Sequence, residues 1–335
     1  MNFESQELVR RLYHARHGRE ANAAHAAEIG ACFTQGAAYF ESARVADRAV
    51  RPLLLYYGVL SLARGTSMFL RPGRREASLS QAHGLATVSW GETLARVGSD
   101  VGDLRVRVAE AGSFQEFGDA TGNRSMLRIG RNDISQVLSY HRATAGQEFS
   151  LADLLSRLPE VIEQYDRWRQ DGRCAIGGIR PESPAGTVSI TMQRRVGASI
   201  VDRARVERVV NPLPVVAIEE ADAQWVVQLR ADPGTESGLS HLPGIWDYVP
   251  TNMLGIGSLC FAARYEGGWF GSKSGALFVA AYVLGMLARY FPSRWMALAR
   301  NIGSDGGTPT LLATMSTIEQ VFPQLVADFM TPTST

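Results

Sequence analysis

The sequence predicts an α+β protein that is mainly helical, with long buried helices in its first and last thirds and a small, mostly antiparallel sheet in its middle. Two segments, 53–70 and 274–290, are apolar on nearly every side, which only a helix surrounded by other elements tolerates. Short segments between them are rich in Val, Ile and Trp and are bounded by Gly, Asp, Asn or Pro, as strands are: 85–90, 104–110, 187–194, 214–219 and 225–230. Helical ends around a strand-bearing middle are typical of this class.

The length of 335 residues suits one large domain or two intimate ones, with a substantial core. We expect a single compact domain over 1–335, with a helical part at 1–85, a mixed part at 86–250 and a helical part at 251–335. Hydrophobic residues make up 45% and charged residues 20%, which is ordinary for a folded protein. No internal repeat or low-complexity segment interrupts this organisation.

The helices can be placed more closely by their periodicity and their end signals. The first third has apolar spacing for helices at about 5–28 and 31–46, followed by 53–70 with Pro52 in its first turn. The middle has helices at about 131–143 and 150–169, the second capped by Ser150, and loops at 171–186 and 232–245. In the last third, 274–290 ends near Pro292, 293–302 takes a new direction, and 310–330 is helical with a break at Pro323.

Charge and cysteine content exclude several classes of protein. A formal net charge of +1 gives no general attraction to nucleic acid or to an anionic membrane. The three cysteines are far apart and have no zinc-like spacing, so we expect a reducing compartment, no metal and no cofactor. The start of the chain lacks the apolar core of a signal peptide, and the most apolar run, 275–287, is shorter than the roughly 20 residues that span a bilayer. We therefore expect a cytoplasmic protein that is not in a membrane.

The first candidate site is the Gly- and Ser-rich segment 267–275, which contains the single Lys of the chain, Lys273. It is similar to a phosphate-binding loop, but Ser272 stands where that loop needs its second Gly, so we expect no ATP or GTP hydrolysis. Backbone N–H groups at a helix start and one ammonium still favour an anion. We name Ser272, Lys273 and Ser274 as ligand-binding candidates. The alternative is a solvated turn capped by Ser272 or Ser274.

Arg289 is the second ligand-binding candidate, because it ends an apolar helix and can offer a planar fork to a carboxylate or a phosphate. The alternative is a helix corner, with Pro292 as the breaker. Among six histidines, His83 lies in a turn between the central helix and a strand, where functional residues are often found. No nucleophile elbow or zinc-protease motif accompanies it. Three arginine groups are interpreted as solvated faces: 71/74/75, 124/128/131 and 203/205/208, of which Arg124, Arg128 and Arg131 have helical spacing.

Several short motifs follow one another in a fixed order over about 40–330: Tyr39, Phe40 and Ala43, the run 51–58 (RPLLLYYG), His83-Gly84-Leu85, Gly112-Ser113-Phe114, Leu154-Leu155 with Pro159, and Leu287 to Tyr290 with Pro292 and Trp295. In this order they resemble the bacterial YaaC-like family. The resemblance implies a cytosolic protein and no particular activity.

The early helices also resemble HEPN bundles, a group that includes RNA-cleaving toxins. The catalytic pattern of that group is an Arg followed by a His after four to six residues. Arg11 with His17 and Arg19 with His25 have this spacing, whereas His83 and His141 have no Arg at that distance before them. We name Arg19 and His25 as catalytic candidates from this spacing, and His83 from its position in a turn.

Two functions from different classes are carried forward. The first is a non-catalytic interaction or regulatory protein that recognises a small anionic ligand, a nucleotide included, or a protein partner through 271–275 or Arg289. The alternative is a HEPN-like RNA-cleaving enzyme that acts as a toxin or phage-defence effector. RNA is a partner only under the alternative, and either protein could form a homo-oligomer.

Overall fold

The computed structural model describes residues 6–96, 99–129, 133–139, 143–181, 187–211, 213–230, 245–250, 257–265, 271–302 and 306–331. Its helices are α1 Gln6–His17, α2 Ala23–Val45, α3 Arg51–Leu70, α4 Trp90–Ala95, α5 Ser113–Thr121, α6 Leu151–Leu155, α7 Ile162–Trp168, α8 Arg203–Val210, α9 Lys273–Tyr290, α10 Pro292–Ala299 and α11 Thr308–Met330. Its strands are β1 Leu85–Val88, β2 Arg105–Val108, β3 Arg124–Ile129, β4 Asp133–Ser139, β5 Glu148–Ser150, β6 Cys174–Pro181, β7 Thr187–Gln193, β8 Arg195–Val196, β9 Ser199–Ile200, β10 Val215–Ala221, β11 Gln224–Arg230, β12 Ile245–Pro250 and β13 Gly257–Ala262.

The chain divides into two compact units. Unit 1 comprises Met1–Asn123, Arg142–Leu154 and Ser274–Thr335, and unit 2 comprises Arg124–His141 and Leu155–Lys273. Long helices dominate unit 1, and antiparallel strands dominate unit 2. The predicted α+β class, mainly helical with antiparallel sheets, is confirmed.

Helices α2 and α3 form a hairpin that packs closely because small residues face large ones. A Cβ added at Gly36 would lie 2.6 Å from a methyl carbon of Leu62, and one at Gly58 would lie 2.9 Å from the ring of Phe40. Neither glycine could carry a side chain without a shift of its neighbour. The two glycines therefore set how near the helices approach, and this spacing fixes the position of the tyrosines at the start of α3.

The two segments expected to be the most buried helices are α3 and α9. Residues 276–287 of α9 are buried throughout, and α3 is buried along most of its length. Helix α3 is long and apolar enough to cross a membrane, yet 67% of its most apolar window is buried inside the protein, as in a core helix. A Cβ at Gly285 of α9 would lie 2.8 Å from Cβ of Tyr56, so these helices also touch almost at their backbones.

Unit 1 also contains a three-stranded antiparallel sheet in which β2 lies between β1 and β5. Leu85 pairs with Val108, and Val106 pairs with Phe149. All four side chains are buried, which anchors the start of β1 firmly. The turn that carries His83 leads directly into this strand.

The main sheet of unit 2 has six antiparallel strands in the order β10-β11-β7-β6-β13-β12. Sequential strands form hairpins at β6–β7, β10–β11 and β12–β13. Two further pairs, β3–β4 and β8–β9, lie outside this sheet.

The helix expected at 131–143 is wrong, because Asp133–Ser139 forms strand β4 paired with β3. Ile134, Val137 and Leu138 mimic helical spacing, and such a short apolar run fits a helix or a strand until a partner strand decides. Arg124 and Arg128 lie in β3, so their predicted helical face is also wrong, and Arg131 lies outside the described residues. The loop expected at 171–186 contains strand β6. Gly177 and Gly178 within this strand favoured the interpretation as a loop.

Three predicted helix boundaries also differ from the structure. The first helix ends at His17, where Gly18 has a φ of 66°, and α2 begins after Asn22, whose side chain accepts a hydrogen bond from the His25 amide. The segment 150–169 forms two helices, α6 and α7, although Ser150 does accept the Asp153 amide as expected at 3.0 Å. Pro323 does not end α11, because buried residues on both sides of it, including Phe322 and Val326, hold the helix together.

Candidate functional site

The turn that carries His83 is held in place by the start of α5. The carbonyl oxygens of Ala82 and His83 accept hydrogen bonds from the backbone amides of Ser113 and Phe114, at 2.9 and 3.1 Å. A Cβ at Gly112 would lie 2.1 Å from the backbone nitrogen of Gly84, so two glycine backbones touch here. Two of the separate motifs, 83–85 and 112–114, therefore form one structural unit that fixes His83.

His83 is hydrogen-bonded to a buried tyrosine of α3. The hydroxyl of Tyr56 lies 2.7 Å from Nδ1 of His83, and Tyr56 is fully buried. Burial raises the pKa of Tyr56, so the phenol keeps its proton. The proton needs an acceptor, and Nδ1 is the acceptor within reach; the neutral ring then carries its own proton on Nε2. Nε2 has no hydrogen-bond partner among the described residues, which leaves a donor available.

Tyr282 of α9 packs against both members of this pair. Its ring centroid lies 5.6 Å from that of Tyr56 and 5.8 Å from that of His83. Its hydroxyl donates to the carbonyl oxygen of Leu85 at 3.1 Å, and burial raises the pKa of Tyr282 to about 12. Burial also lowers the pKa of His83, and the charge of Arg289 lowers it further. His83 is therefore neutral at pH 7.

Arg289 lies at the exposed end of α9, beside a half-buried tyrosine of α3. Its Nη1 donates to the hydroxyl of Tyr57 at 3.4 Å, and the ring of Tyr57 lies 5.6 Å from that of Tyr39 on α2. Arg289 forms no ion pair with any described carboxylate. We call these side chains the Tyr–His–Arg cluster. Its members come from α2, α3, α9 and the turn before β1: Tyr39, Tyr56, Tyr57, His83, Tyr282 and Arg289.

The other ligand-binding candidates lie in a different environment. Ser272, Lys273 and Ser274 are all buried, and the Lys273 ammonium forms an ion pair with the carboxylate of Glu160. The side chain of Lys273 is 4% exposed, so the pair is largely removed from water. An internal carboxylate thus occupies a position next to the ammonium. Residues 267–270 of this segment lie outside the described residues.

Sequence reasoning missed a second buried ion pair in unit 2. Nη1 of Arg205 lies 2.7 Å from the carboxylate of Asp166, which also accepts from the hydroxyl of Ser199. Nε of Arg205 donates to the carbonyl oxygen of Cys174 at 2.7 Å. Arg205 was expected on a solvated face, but it is 2% exposed and holds α8 on β6, so that expectation is wrong for this residue. No signal in the sequence separates it from its exposed neighbour Arg203.

The catalytic candidates of the amino-terminal part of the chain, Arg19 and His25, lie in different environments. His25 is buried against the ring of Tyr13, at 5.5 Å between centroids, and burial lowers its pKa. Nε2 of His17 lies 2.9 Å from the carbonyl oxygen of Phe69. Arg19 is exposed in the turn after α1, and none of its described contacts is with His25.

An open surface cleft of about 720 Å³ lies beside α1. It is lined by Arg11 and His14, among others, and it is crossed by the ion pair of Arg10 and Glu20 at 2.8 Å. His141 and His241 lie outside the described residues. No group of three or more His, Cys, Asp or Glu side chains in the described part of the chain could hold a metal ion.

The fold and the cluster define a mainly helical α+β protein with an exposed arginine beside a buried tyrosine–histidine pair. The chain belongs to the YaaC-like protein family, whose model matches residues 1–330. No curated protein and no solved structure matches the chain. The motifs at 39–40, 51–58, 83–85, 112–114 and 287–290 converge on the Tyr–His–Arg cluster and its supports, although they are far apart in sequence.

Proposed function

We propose that this protein is a non-catalytic interaction or regulatory protein of the cytoplasm, and that Arg289 recognises a small anionic ligand. The observation that carries the proposal is the exposed guanidinium of Arg289, which is held at the hydroxyl of Tyr57 and has no ion-pair partner among the described carboxylates. A planar guanidinium offers two parallel donors to a carboxylate or a phosphate. The free Nε2–H of His83 supplies a neutral donor in the same cluster.

The environment of Lys273 supports the proposal that Arg289, and not Lys273, takes the external anion. Glu160 already neutralises the Lys273 ammonium, and the surrounding serines are buried. An added anion there would have to displace an internal carboxylate and enter a site with little solvent access. The proposal therefore assigns recognition of the external anion to Arg289 and not to Lys273.

Binding of inorganic phosphate, sulfate and citrate to the full chain tests the proposal. We expect a rise in melting temperature with anion concentration, because a ligand that binds only the folded state stabilises it by mass action. Arg289→Ala should remove at least tenfold of the affinity measured by titration calorimetry, since a hydrogen-bonded charge is lost.

Arg294→Ala is the matched control, because Arg294 is exposed on the neighbouring helix α10 and its loss changes the net charge equally. It should leave the affinity unchanged. If both variants respond to every anion as the parent does, Arg289 is not the recognition residue. If no anion binds the parent at millimolar concentration, the proposed function is wrong.

The competing hypothesis of RNA cleavage predicts toxicity on expression. Its best residue for a test is Arg19, because Arg19 is exposed and its replacement leaves the core intact, whereas His25 is buried. Slow growth that Arg19→Ala relieves, and that replacement of the exposed Arg10 by alanine does not, would favour the enzyme over the binding protein.

A further inference from the structure

Two tyrosines lie beside the exposed Arg289. The guanidinium carbon lies 5.1 Å from the ring centroid of Tyr290, and Tyr290 is 60% exposed. The hydroxyl of Tyr57 accepts from Arg289, and the half-buried rings of Tyr57 and Tyr39 pack 5.6 Å apart with an angle of 31° between their planes. The cation thus has a tyrosine of α9 and a tyrosine of α3 as neighbours, and Tyr39 of α2 packs on the second of them.

Two of these rings, Tyr57 and Tyr39, are held in place and remain half-buried. Tyr57 is fixed on α3 next to the buried Tyr56, at 5.9 Å between centroids, and Tyr39 is fixed on α2, whose approach to α3 is set by Gly36 and Gly58. A ring held at a surface keeps an apolar face available and loses little entropy when a planar group stacks on it. Every nucleobase has such a face.

The cluster also contains hydrogen-bond donors for the polar part of a ligand. Arg289 supplies a cation for a phosphate, and the Nε2–H of the neutral His83 supplies one further donor for a phosphate or a sugar oxygen. The fully buried Tyr56 holds the His83 ring by its Nδ1, so this donor is oriented before a ligand arrives.

We infer that the anion recognised at the Tyr–His–Arg cluster is a nucleoside phosphate, with its phosphate on Arg289 and its base against the tyrosines beside it. The inference rests on the proposed function and specifies its ligand class. A simple inorganic or carboxylate anion would use the guanidinium alone and would leave the surrounding aromatic surfaces without a role.

Titration calorimetry of the full chain with AMP, GMP, CMP, UMP, ribose 5-phosphate and inorganic phosphate tests the inference. At least one nucleotide should bind roughly tenfold more tightly than ribose 5-phosphate, because base–aromatic stacking contributes about that much. Arg289→Ala should weaken nucleotide binding at least tenfold, and Arg294→Ala should not.

Two aromatic variants separate stacking from charge. Tyr57→Leu and Tyr290→Leu each leave the arginine in place, and at least one of them should reduce nucleotide affinity to that of ribose 5-phosphate. Circular dichroism and the melting temperature of each variant show that it is folded, and Tyr290 is exposed enough for its replacement to leave the core intact.

The possible results distinguish failure of the nucleotide inference from failure of the proposed function. If ribose 5-phosphate binds as tightly as all four nucleotides, the inference fails and the proposed function stands. If the corresponding nucleosides, titrated in parallel, bind as tightly as the nucleotides, the phosphate has no role and the inference fails; the proposed function then stands only if inorganic phosphate binds the parent and binds Arg289→Ala more weakly. If none of these compounds and no inorganic anion binds, both are wrong.

Discussion

Replacement of Gly285 by alanine tests the claim that α3 and α9 touch almost at their backbones. Gly285 lies in the buried part of α9, and its new Cβ would be 2.8 Å from Cβ and 3.2 Å from Cγ of Tyr56. The Cβ of Tyr56 is attached directly to the backbone of α3 and cannot rotate away. The methyl group therefore fits only if the helices separate by roughly 1 Å, because nonbonded carbons pack at about 3.5–4.0 Å.

The magnitude follows from two opposing terms. Gly→Ala inside a helix gains about 1 kcal/mol of helix propensity. An extra methyl in a well-packed core costs about 1–3 kcal/mol. The net change for Gly285→Ala is then a loss of about 0–2 kcal/mol. Gly118→Ala is the matched control, because Gly118 is also helical, in α5 of the same unit, and its added Cβ meets nothing within 4 Å.

The difference in unfolding free energy between the two variants measures the cost of the steric overlap with Tyr56. Gly118→Ala should stabilise the protein by about 1 kcal/mol, so Gly285→Ala should be about 1–3 kcal/mol less stable than Gly118→Ala. Urea unfolding followed by tryptophan fluorescence and circular dichroism measures both, with coincident transitions required before a free energy is extracted. If Gly285→Ala is as stable as Gly118→Ala, the close contact between α3 and α9 does not exist.

Three further predictions concern buried groups. The free energy of unfolding should fall as the pH drops below about 6.5. Burial lowers the folded-state pKa of His17, His25 and His83, so these histidines bind protons more readily in the unfolded chain. Equal urea midpoints at pH 7.5 and pH 5.5 would contradict this. Arg205→Met leaves Asp166 without its cation and should lower the free energy of unfolding by about 3–5 kcal/mol. A loss below about 1 kcal/mol, as is typical of an exposed arginine, would show that the ion pair does not stabilise the fold. All three cysteines are buried and have free thiols. A disulfide reagent should therefore modify none of them in the folded protein and all three in denaturant. Rapid labelling of the native chain would refute the burial of the thiols.

The local pattern of apolar residues was sufficient to predict the helices that are surrounded by other elements. The apolar segments at 53–70 and 274–290 form α3 and α9, because a helix that is apolar on every side has only the interior as a stable location. Strands β1, β2, β7, β10 and β11 were also predicted, since β-branched residues between turn signals favour an extended chain. Strand β4 was not, because its residues fit a helix equally well until β3 pairs with them.

For the candidate site too, part could be predicted from the sequence and part required the tertiary structure. The sequence alone singled out Arg289, His83 and Lys273, and it gave the order of motifs that identifies the family. It could not show that Tyr56 bonds to His83, that Tyr57 accepts from Arg289, or that Glu160 neutralises Lys273. Those partners lie 27, 232 and 113 residues apart along the chain. Spacing along a chain reports neighbours within one helix or strand, whereas contacts between elements are decided by packing. The sequence therefore determined the class of fold and singled out the candidate residues. The tertiary structure determined which groups contact each candidate, because only packing brings a carboxylate to Lys273 and a tyrosine hydroxyl to Arg289.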